Sequence, residues 1–356
     1  MASILDELRD AEVIIYGSEL GANLFEDDVA LVAEYSYNEA SVNQICRRHR
    51  IDVALIILDP RIASAATESC PVVYVDSLPF LWTHPSDVPV GVAAYLAQQT
   101  PLLPMSCWET LRTIDALQWT EGIVPCERDN EPSTVEPTAD VLINLGGLLS
   151  VLQTSGDISY PHVVLPPLLE QLAERGFTSA MVTTSPAARN QVERAIGDRT
   201  PLDLTVQSLG HRDFGRALRS AQLVATSPGL TTILESGAAR VPTVLLPPQN
   251  MSQIMNMAFV ANLGGGDRCI DWPETVLEPK SVEHLRLKGE EVVVEHIYGA
   301  IDRAVAVPEL FGELALRFGQ ALVAKPACPT SRLADLVGTG GAKQVAGVVR
   351  ELATHY

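Results

Sequence analysis

Basic residues are scarce in this 356-residue chain: 25 lysines and arginines stand against 44 aspartates and glutamates, a formal net charge of -19. Nucleic acids and acidic membrane surfaces need a basic footprint, so that balance excludes them as broad partners. An anionic ligand is not excluded, because a helix N-terminus with unpaired N–H groups holds a phosphate without any lysine. The cysteines (Cys46, Cys70, Cys107, Cys126, Cys269 and Cys328) are scattered, with no C-x-x-C pair. A zinc cluster and a dense disulfide framework are thereby excluded, and free thiols of a reducing compartment are expected. No uninterrupted apolar run reaches membrane-spanning length. The opening "MASILDELRDAEVIIYG" lacks a basic start followed by an apolar stretch, so no secretory signal is expected and a cytoplasmic location is. There is no D-x-D at a strand end, no H-x-x-x-H and no cysteine pair, so no catalytic metal is expected; nor is a tightly bound cofactor.

What is present is a rhythm. Hydrophobic content of 47% is ordinary for a globular protein, and the length predicts two domains of roughly 130 to 200 residues. "DVALIILD" (52–59) and "CPVVYVDS" (70–77) are continuous apolar runs, the pattern of strands covered on both faces. Strand candidates at 12–16 and 30–35 and a helix at 41–51 precede them, and "GVAAYLAQQ" (91–99) reads as helical. The polar, proline-containing stretch 126–138 reads as a linker. The alternation then restarts: strands at 139–147, 178–184, 202–209, 222–227 and 241–247 alternate with helices at 162–176, 187–197, 212–221, 230–240 and 252–264. The first of these helices is expected to begin near Pro166 or Pro167. From about 281 to 333 the chain reads as mostly helical, and 340–356 as a closing helix. The predicted fold is α/β, with an N-terminal domain over 1–125, a second domain over 139–333, and a C-terminal helix in 334–356 that packs back on the first.

The densest chemistry lies at 210–256. A strand ending at Ser227 puts Pro228 and Gly229 in a turn, after which a helix starts near Leu230 with its first N–H groups unpaired. Gly229 allows close approach of a ligand, and Ser227, Thr231 and Thr232 bring hydroxyls to a helix end of partial positive charge. Thr231 and Thr232 serve equally well as plain capping and first-turn residues. Glu235 sits one turn further on the same face, either favouring the helix or accepting two hydrogen bonds from vicinal hydroxyls, as a ribose-binding carboxylate does. Four amides, Gln249, Asn250, Gln253 and Asn256, crowd the next loop-to-helix corner; each donates and accepts, which suits sugar hydroxyls.

The order Gly146-Gly147, His211-Arg212-Asp213-Phe214, S-P-G-L-T-T-x-x-E and P-P-Q-N-x-S-Q-x-x-N resembles the donor half of GT-B glycosyltransferases. The likeness is to the subgroup of the muramyl-peptide GlcNAc transferase and the UDP-glucuronosyltransferase-like natural-product enzymes. That resemblance implies two doubly wound Rossmann-like domains facing a cleft and a nucleotide-diphosphate sugar, such as a UDP-sugar, as donor. It implies that Gly229, Thr231 and Thr232 contact the diphosphate and that Glu235 binds the ribose. Gln249, Asn250 and Gln253 would reach the sugar, with Asn256 as the family's following asparagine. His211 falls where members contact the base or diphosphate. The implied partner is a small soluble acceptor; a homodimer or a partner protein is left open.

Inverting members of that superfamily use a base after the first strand, usually a histidine or aspartate. Here "IIYGSELGANLF" holds no histidine; Glu19 is the candidate, between Gly17 and Gly21, with Asn23 beyond. Asp76, at the end of "VVYVD", and His84, in "LWTHPSD", are the other two. The run Phe80, Leu81 and Trp82, with Trp108 and Trp119, lines an acceptor pocket, a core or an interface with equal ease. The same scaffold also carries nucleotide-sugar epimerases and hydrolases, and a non-catalytic partner subunit is the binding-only alternative.

Overall fold

A computed structural model describes residues 1–17, 31–33, 39–125, 139–148, 158–197, 202–323 and 328–355. Glu19, Gly21 and Asn23, the linker expected at 126–138 and Cys126 lie outside them. The chain forms two compact units, Met1–Asn130 with Val337–Tyr356, and Glu131–Leu336.

In the first unit β3 (Ala54–Ile57), β4 (Val72–Asp76), β5 (Ala94–Gln98) and β6 (Leu117–Thr120) make a parallel sheet in that order, and β1 (Ile14–Tyr16) pairs in parallel with β2 (Leu31–Ala33). The period of two assigns alternate residues to opposite faces. Val72, Tyr74, Tyr95 and Ala97 pack with Val42 and Cys46 of helix Glu39–His49 and with Ile62, Ala63 and Ala66 of helix Pro60–Ala66. Val73, Val75, Ala94 and Leu96 pack with Ile4 and Leu8 at the N-terminus and with Ala342, Val345 and Ala346 of helix Gly341–His355. The last helix therefore covers one face of this sheet. Its start is held by Glu121, whose Oε2 accepts from the N–H of Thr339 at 3.0 Å and of Gly340 at 2.7 Å. Arg350 binds Asp10 and the carbonyl of Glu7 from the same helix.

The second unit is a five-stranded parallel sheet in the order β11-β10-β7-β8-β9, where β7 is Val141–Asn144, β8 Ser179–Thr183, β9 Asp203–Gln207, β10 Leu223–Thr226 and β11 Thr243–Leu245. Both faces are covered here too. Val141, Ile143, Ala180, Val182, Leu223 and Ala225 join the large core beneath helices Ser159–Glu174, Glu290–Ala304 and Glu309–Val323. Leu142, Met181 and Val224 pack against Ala217 and Leu218 of helix His211–Ser220. The two Rossmann-like sheets agree with the α/β expectation.

Two expectations are corrected. Residues 91–99 are not a helix: Ala94–Gln98 is β5, buried at all five positions. An apolar run of alanine, tyrosine and leucine does not distinguish a buried strand from a buried helix, and pairing with β4 on one side and β6 on the other decides it. The helix expected to begin at Pro166 or Pro167 begins at Ser159 and runs through both prolines to Glu174. Each internal proline costs about 3 kcal/mol in an isolated helix; here Tyr160, Val163, Val164, Leu165, Leu168, Leu169 and Leu172 are buried along the same segment and offset it.

Helix Leu230–Ala238, which begins beside the candidate site, crosses helix Pro329–Val337 closely enough that a Cβ on Gly237 would overlap the Thr330 carbonyl and press on Ala334. Backbone cannot swing aside as a side-chain tip can. Gly237→Ala is expected to lower stability by about 1–3 kcal/mol, read from the urea midpoint; an unchanged midpoint would show that these helices separate freely.

Candidate functional site

The strand order of the second unit defines where a ligand fits. The chain runs from β7 outward to β8 and β9, then returns to lay β10 on the other side of β7. At such a reversal the loops leaving two neighbouring strands part company, and open α/β sheets bind ligands in the crevice outside those carboxyl ends. The loop after β7 carries Gly146 and Gly147, both exposed; the loop after β10 is Ser227-Pro228-Gly229. The two loops leave adjacent, paired strands, and β11 with its loop 246–250 lies next to β10.

Gly229 is the N-cap of helix Leu230–Ala238, and no side chain caps that end. The first helical bond runs from Ile233 N–H to the Gly229 carbonyl at 3.0 Å. The N–H groups of Leu230, Thr231 and Thr232 have no partner among the described residues. Three unpaired donors at the positive end of a nine-residue helix are what an anion needs. At Gly229 the backbone does not require glycine, because its φ of -70° suits any residue and an added Cβ would meet only the Ser227 carbonyl, at 3.9 Å. Gly147 is the glycine that geometry requires: its φ is +81°, and a Cβ there would come 2.9 Å from Gln253 Nε2. Thr231 is exposed; Thr232 is half-buried, and its hydroxyl accepts from Asn144 Nδ2 at 3.1 Å.

Asn144 is a site residue that sequence reasoning missed. It ends β7, donates also to Thr226 Oγ1 at 3.3 Å and accepts from Thr183 Oγ1 at 3.2 Å, so one side chain joins the ends of three strands to the first turn of the helix. The signal was a lone amide closing the apolar run "VLIN".

The expected amides come together, but most of them face inward. Gln249 is fully buried; its Nε2 donates to Ser227 Oγ at 2.9 Å and to the Gly146 carbonyl at 3.3 Å. Gln253 accepts from the Gln249 N–H at 2.8 Å and donates to the Gly146 carbonyl at 3.4 Å. Asn256 Nδ2 donates to the Pro228 carbonyl at 2.9 Å. Asn250 caps the next helix through its Oδ1, which accepts from Gln253 N–H at 3.0 Å and Ser252 Oγ at 2.8 Å. Ser227 is 1% exposed, so its hydroxyl belongs to this network and its side chain is shut off from solvent. Below it, the Tyr160 hydroxyl donates to the Pro247 carbonyl and the Trp272 indole to that of Pro248, both at 2.7 Å, which pins the proline pair.

Glu235 lies on the inner side of the same helix, with only 9% of its side chain exposed, and its Oε1 is 4.0 Å from His211 Nδ1. Burial pushes its carboxyl up to about 7, with the charge of Arg219 pulling the other way. His211 is the first residue of helix His211–Ser220 and is a quarter exposed. Arg219, absent from the sequence reading, lies in the last turn of that same helix.

The candidate bases fare differently. Asp76 has no solvent exposure: its Oδ2 accepts from Tyr95 and Trp82, both at 2.6 Å, and its Oδ1 from the Leu78 N–H at 3.0 Å. Burial raises its carboxyl pKa while the three donors oppose the shift. Asp76 is thus buried and anchors the loop that follows β4. His84 is exposed and caps the short turn Pro85–Asp87, its Nδ1 accepting from Ser86 N–H at 3.2 Å. Glu19 lies outside the described residues. Trp108 and Trp119 are partly exposed and stack on each other at 6.5 Å. Among the described residues no helix is long and apolar enough to cross a membrane.

The sequence matches no protein-family model and no curated protein. Its fold is found among solved structures. These include the S. aureus MnaA–UDP complex (11% identity, 99% of this chain and 93% of that one, TM-score 0.53). A putative UDP-N-acetylglucosamine 2-epimerase from Listeria monocytogenes is similar over 96% of this chain and 89% of its own, at 14% identity and TM-score 0.50. MurG from Acinetobacter baumannii aligns over 98% and 94%, at 14% identity and TM-score 0.48. At these identities the likeness is one of fold, that of the GT-B type with its two Rossmann-like domains.

The Glu235 carboxyl has a folded pKa above its ordinary 4.5, so the folded state holds the extra proton between 4.5 and about 7. Its stabilising share is complete below the unfolded value and is lost as pH rises through about 7. Glu235→Gln is therefore expected to melt at or above the wild type at pH 8, by up to the order of 3 kcal/mol, and to converge with it near pH 4.5. Parallel curves across that window would place the carboxyl in water.

Proposed function

We propose that the chain binds a nucleotide-diphosphate sugar at the carboxyl edge of its second sheet and transfers the sugar to a small acceptor. The observation that carries this is the uncapped N-terminus of helix Leu230–Ala238, whose three unpaired N–H groups stand at the topological reversal of the sheet. The diphosphate sits on those donors with the Thr231 hydroxyl beside it. As the bond to the sugar breaks, negative charge grows on the leaving oxygens, and donors already oriented stabilise it without moving and without a metal. Glu235 accepts the two ribose hydroxyls from one turn further along. Its raised pKa fits that role: hydroxyl donors favour the ionised carboxylate, so nucleotide binding above pH 7 is tighter than below it. That one of the similar solved structures is a complex with UDP supports a uridine donor.

A second reading has its own support. One similar structure is a putative sugar-nucleotide epimerase, and the one carboxylate at a strand end of the first unit that the sequence offered as base, Asp76, is committed to three donors. An epimerase or hydrolase acts on the donor with no acceptor present.

Calorimetric titration with UDP-, dTDP- and GDP-sugars tests the common step. At least one is expected to bind, and Glu235→Gln to weaken it by about tenfold at pH 8 without a loss of thermal stability. If none binds at millimolar concentration, the reading fails. Turnover that needs an added acceptor supports the transferase; turnover of the donor alone supports the epimerase or hydrolase; binding with neither leaves a partner subunit.

A further inference from the structure

The resemblance read from sequence gives Gln249 to the donor sugar and places Asn256 with it as the family's following asparagine. The geometry points elsewhere. We propose that Gln249 and Asn256 are positioning residues that hold the loop Ser227-Pro228-Gly229 from beneath and so aim the helix N-terminus at the diphosphate, without touching the sugar themselves. This rests on the reading of the helix end as the diphosphate site.

Both residues are closed to solvent, Gln249 at 0% and Asn256 at 1% exposure. Both spend their N–H donors on the loop: Gln249 Nε2 on Ser227 Oγ at 2.9 Å and Asn256 Nδ2 on the Pro228 carbonyl at 2.9 Å. Gln249 also donates to the Gly146 carbonyl at 3.3 Å, so it joins the loop after β7 to the loop after β10. The orientation of each amide follows from its partners, because turning either one would set an oxygen against a carbonyl oxygen. Left over are the buried oxygens Gln249 Oε1 and Asn256 Oδ1, each without a hydrogen-bond partner among the described residues. A buried carbonyl left unsatisfied is unfavourable, and it is tolerated here where the donor half of the same amide secures the loop. Among the described residues the loop's other tethers are Ser227 N–H to the Asn144 carbonyl at 3.0 Å, Thr226 Oγ1 to the Ser227 carbonyl at 2.8 Å, and a tight turn from Gly229 N–H to that same carbonyl at 2.6 Å. Beyond that turn come the three unpaired N–H groups of the helix. Their aim depends on where Pro228 is held, and Asn256 holds it.

The roles separate by ligand. A residue that touches the sugar affects the sugar nucleotide and spares the free nucleoside diphosphate. A residue that aims the helix end affects both equally. Gln249→Met and Asn256→Leu keep size and remove the donors. The probes are UDP and UDP-glucose, dTDP and dTDP-glucose, and GDP and GDP-mannose, titrated calorimetrically into wild type and both variants. Hydrogen exchange of the backbone N–H groups at 229–232 is followed in the free proteins. The expected result is an equal loss of affinity, about tenfold, for the diphosphate and for its sugar conjugate, with faster exchange at 229–232 in each variant. Loss confined to the sugar conjugate overturns the proposal, as does unchanged exchange with unchanged affinity. If one variant does not fold, the other decides by the same two measurements. If wild type binds none of the six, the functional reading fails separately, and exchange at 229–232 alone decides whether the two amides hold the loop.

Discussion

A buried amide must find partners, and at the carboxyl edge of the second sheet that requirement organises the surroundings. Gln249 and Gln253 converge on the Gly146 carbonyl, and Asn256 takes the Pro228 carbonyl. Asn144 joins Thr183, Thr226 and Thr232. Each hydrogen bond contributes only about 1 kcal/mol, yet breaking one exposes a desolvated group and costs more than the bond itself supplied. The loops after β7, β10 and β11 are thereby fixed to one another by side chains, although little backbone pairing joins them. The open N–H groups of the helix are presented by a rigid frame, which is what pre-organised charge stabilisation demands.

The same arrangement explains how a chain of net charge -19 suits an anion. Total charge acts over distances that salt screens within about 10 Å, whereas three N–H groups and a helix dipole act at contact. Glu235, one turn along the same helix, is buried, and its carboxyl is pushed up to about 7. It faces His211 and is opposed by Arg219 on the neighbouring helix. At neutral pH that carboxyl is divided between its two forms, so repulsion of a phosphate one turn away is reduced. Acidity of the whole does not oppose the proposed anion site, because one acts from the surface and the other at a helix end.

The fold was legible because buried parallel strands leave continuous apolar runs, and β3, β4, β7, β8 and β10 each show one. It failed where two structures share a pattern. The stretch holding Tyr95 and Leu96 reads equally as helix or strand, and its partners, distant in sequence, chose strand. The proline pair at 166 and 167 signalled a helix start, but burial of the segment around it outweighed the local rule. At the site, the motif residues were legible as a group because loop and helix-start chemistry is local. Their directions were not. Whether Ser227 or Gln249 turns toward ligand or toward the sheet depends on Gly146 and Tyr160, far away in sequence. Asp76 shows the same limit, since Tyr95 and Trp82 claim it only once the strands align. Asn144 was overlooked because a single amide at the end of a strand carries no spacing to recognise.

The two units divide the chemistry unequally. In the second, three N–H groups at the start of helix Leu230–Ala238 have no partner among the described residues, and the Thr231 side chain beside them is exposed. In the first, Asp76, one of the three candidate bases, is held by three donors that fix its own loop. Transfer and hydrolysis both break the bond between a sugar and its diphosphate, so both draw on the leaving-group stabilisation that a helix end supplies. They part over which nucleophile meets the anomeric carbon, and that depends on a base. A structural likeness at 11–14% identity reaches the scaffold and stops there. Under the proposed function, the loops of the second sheet supply the leaving-group stabilisation, and the choice between transfer and hydrolysis falls to the base.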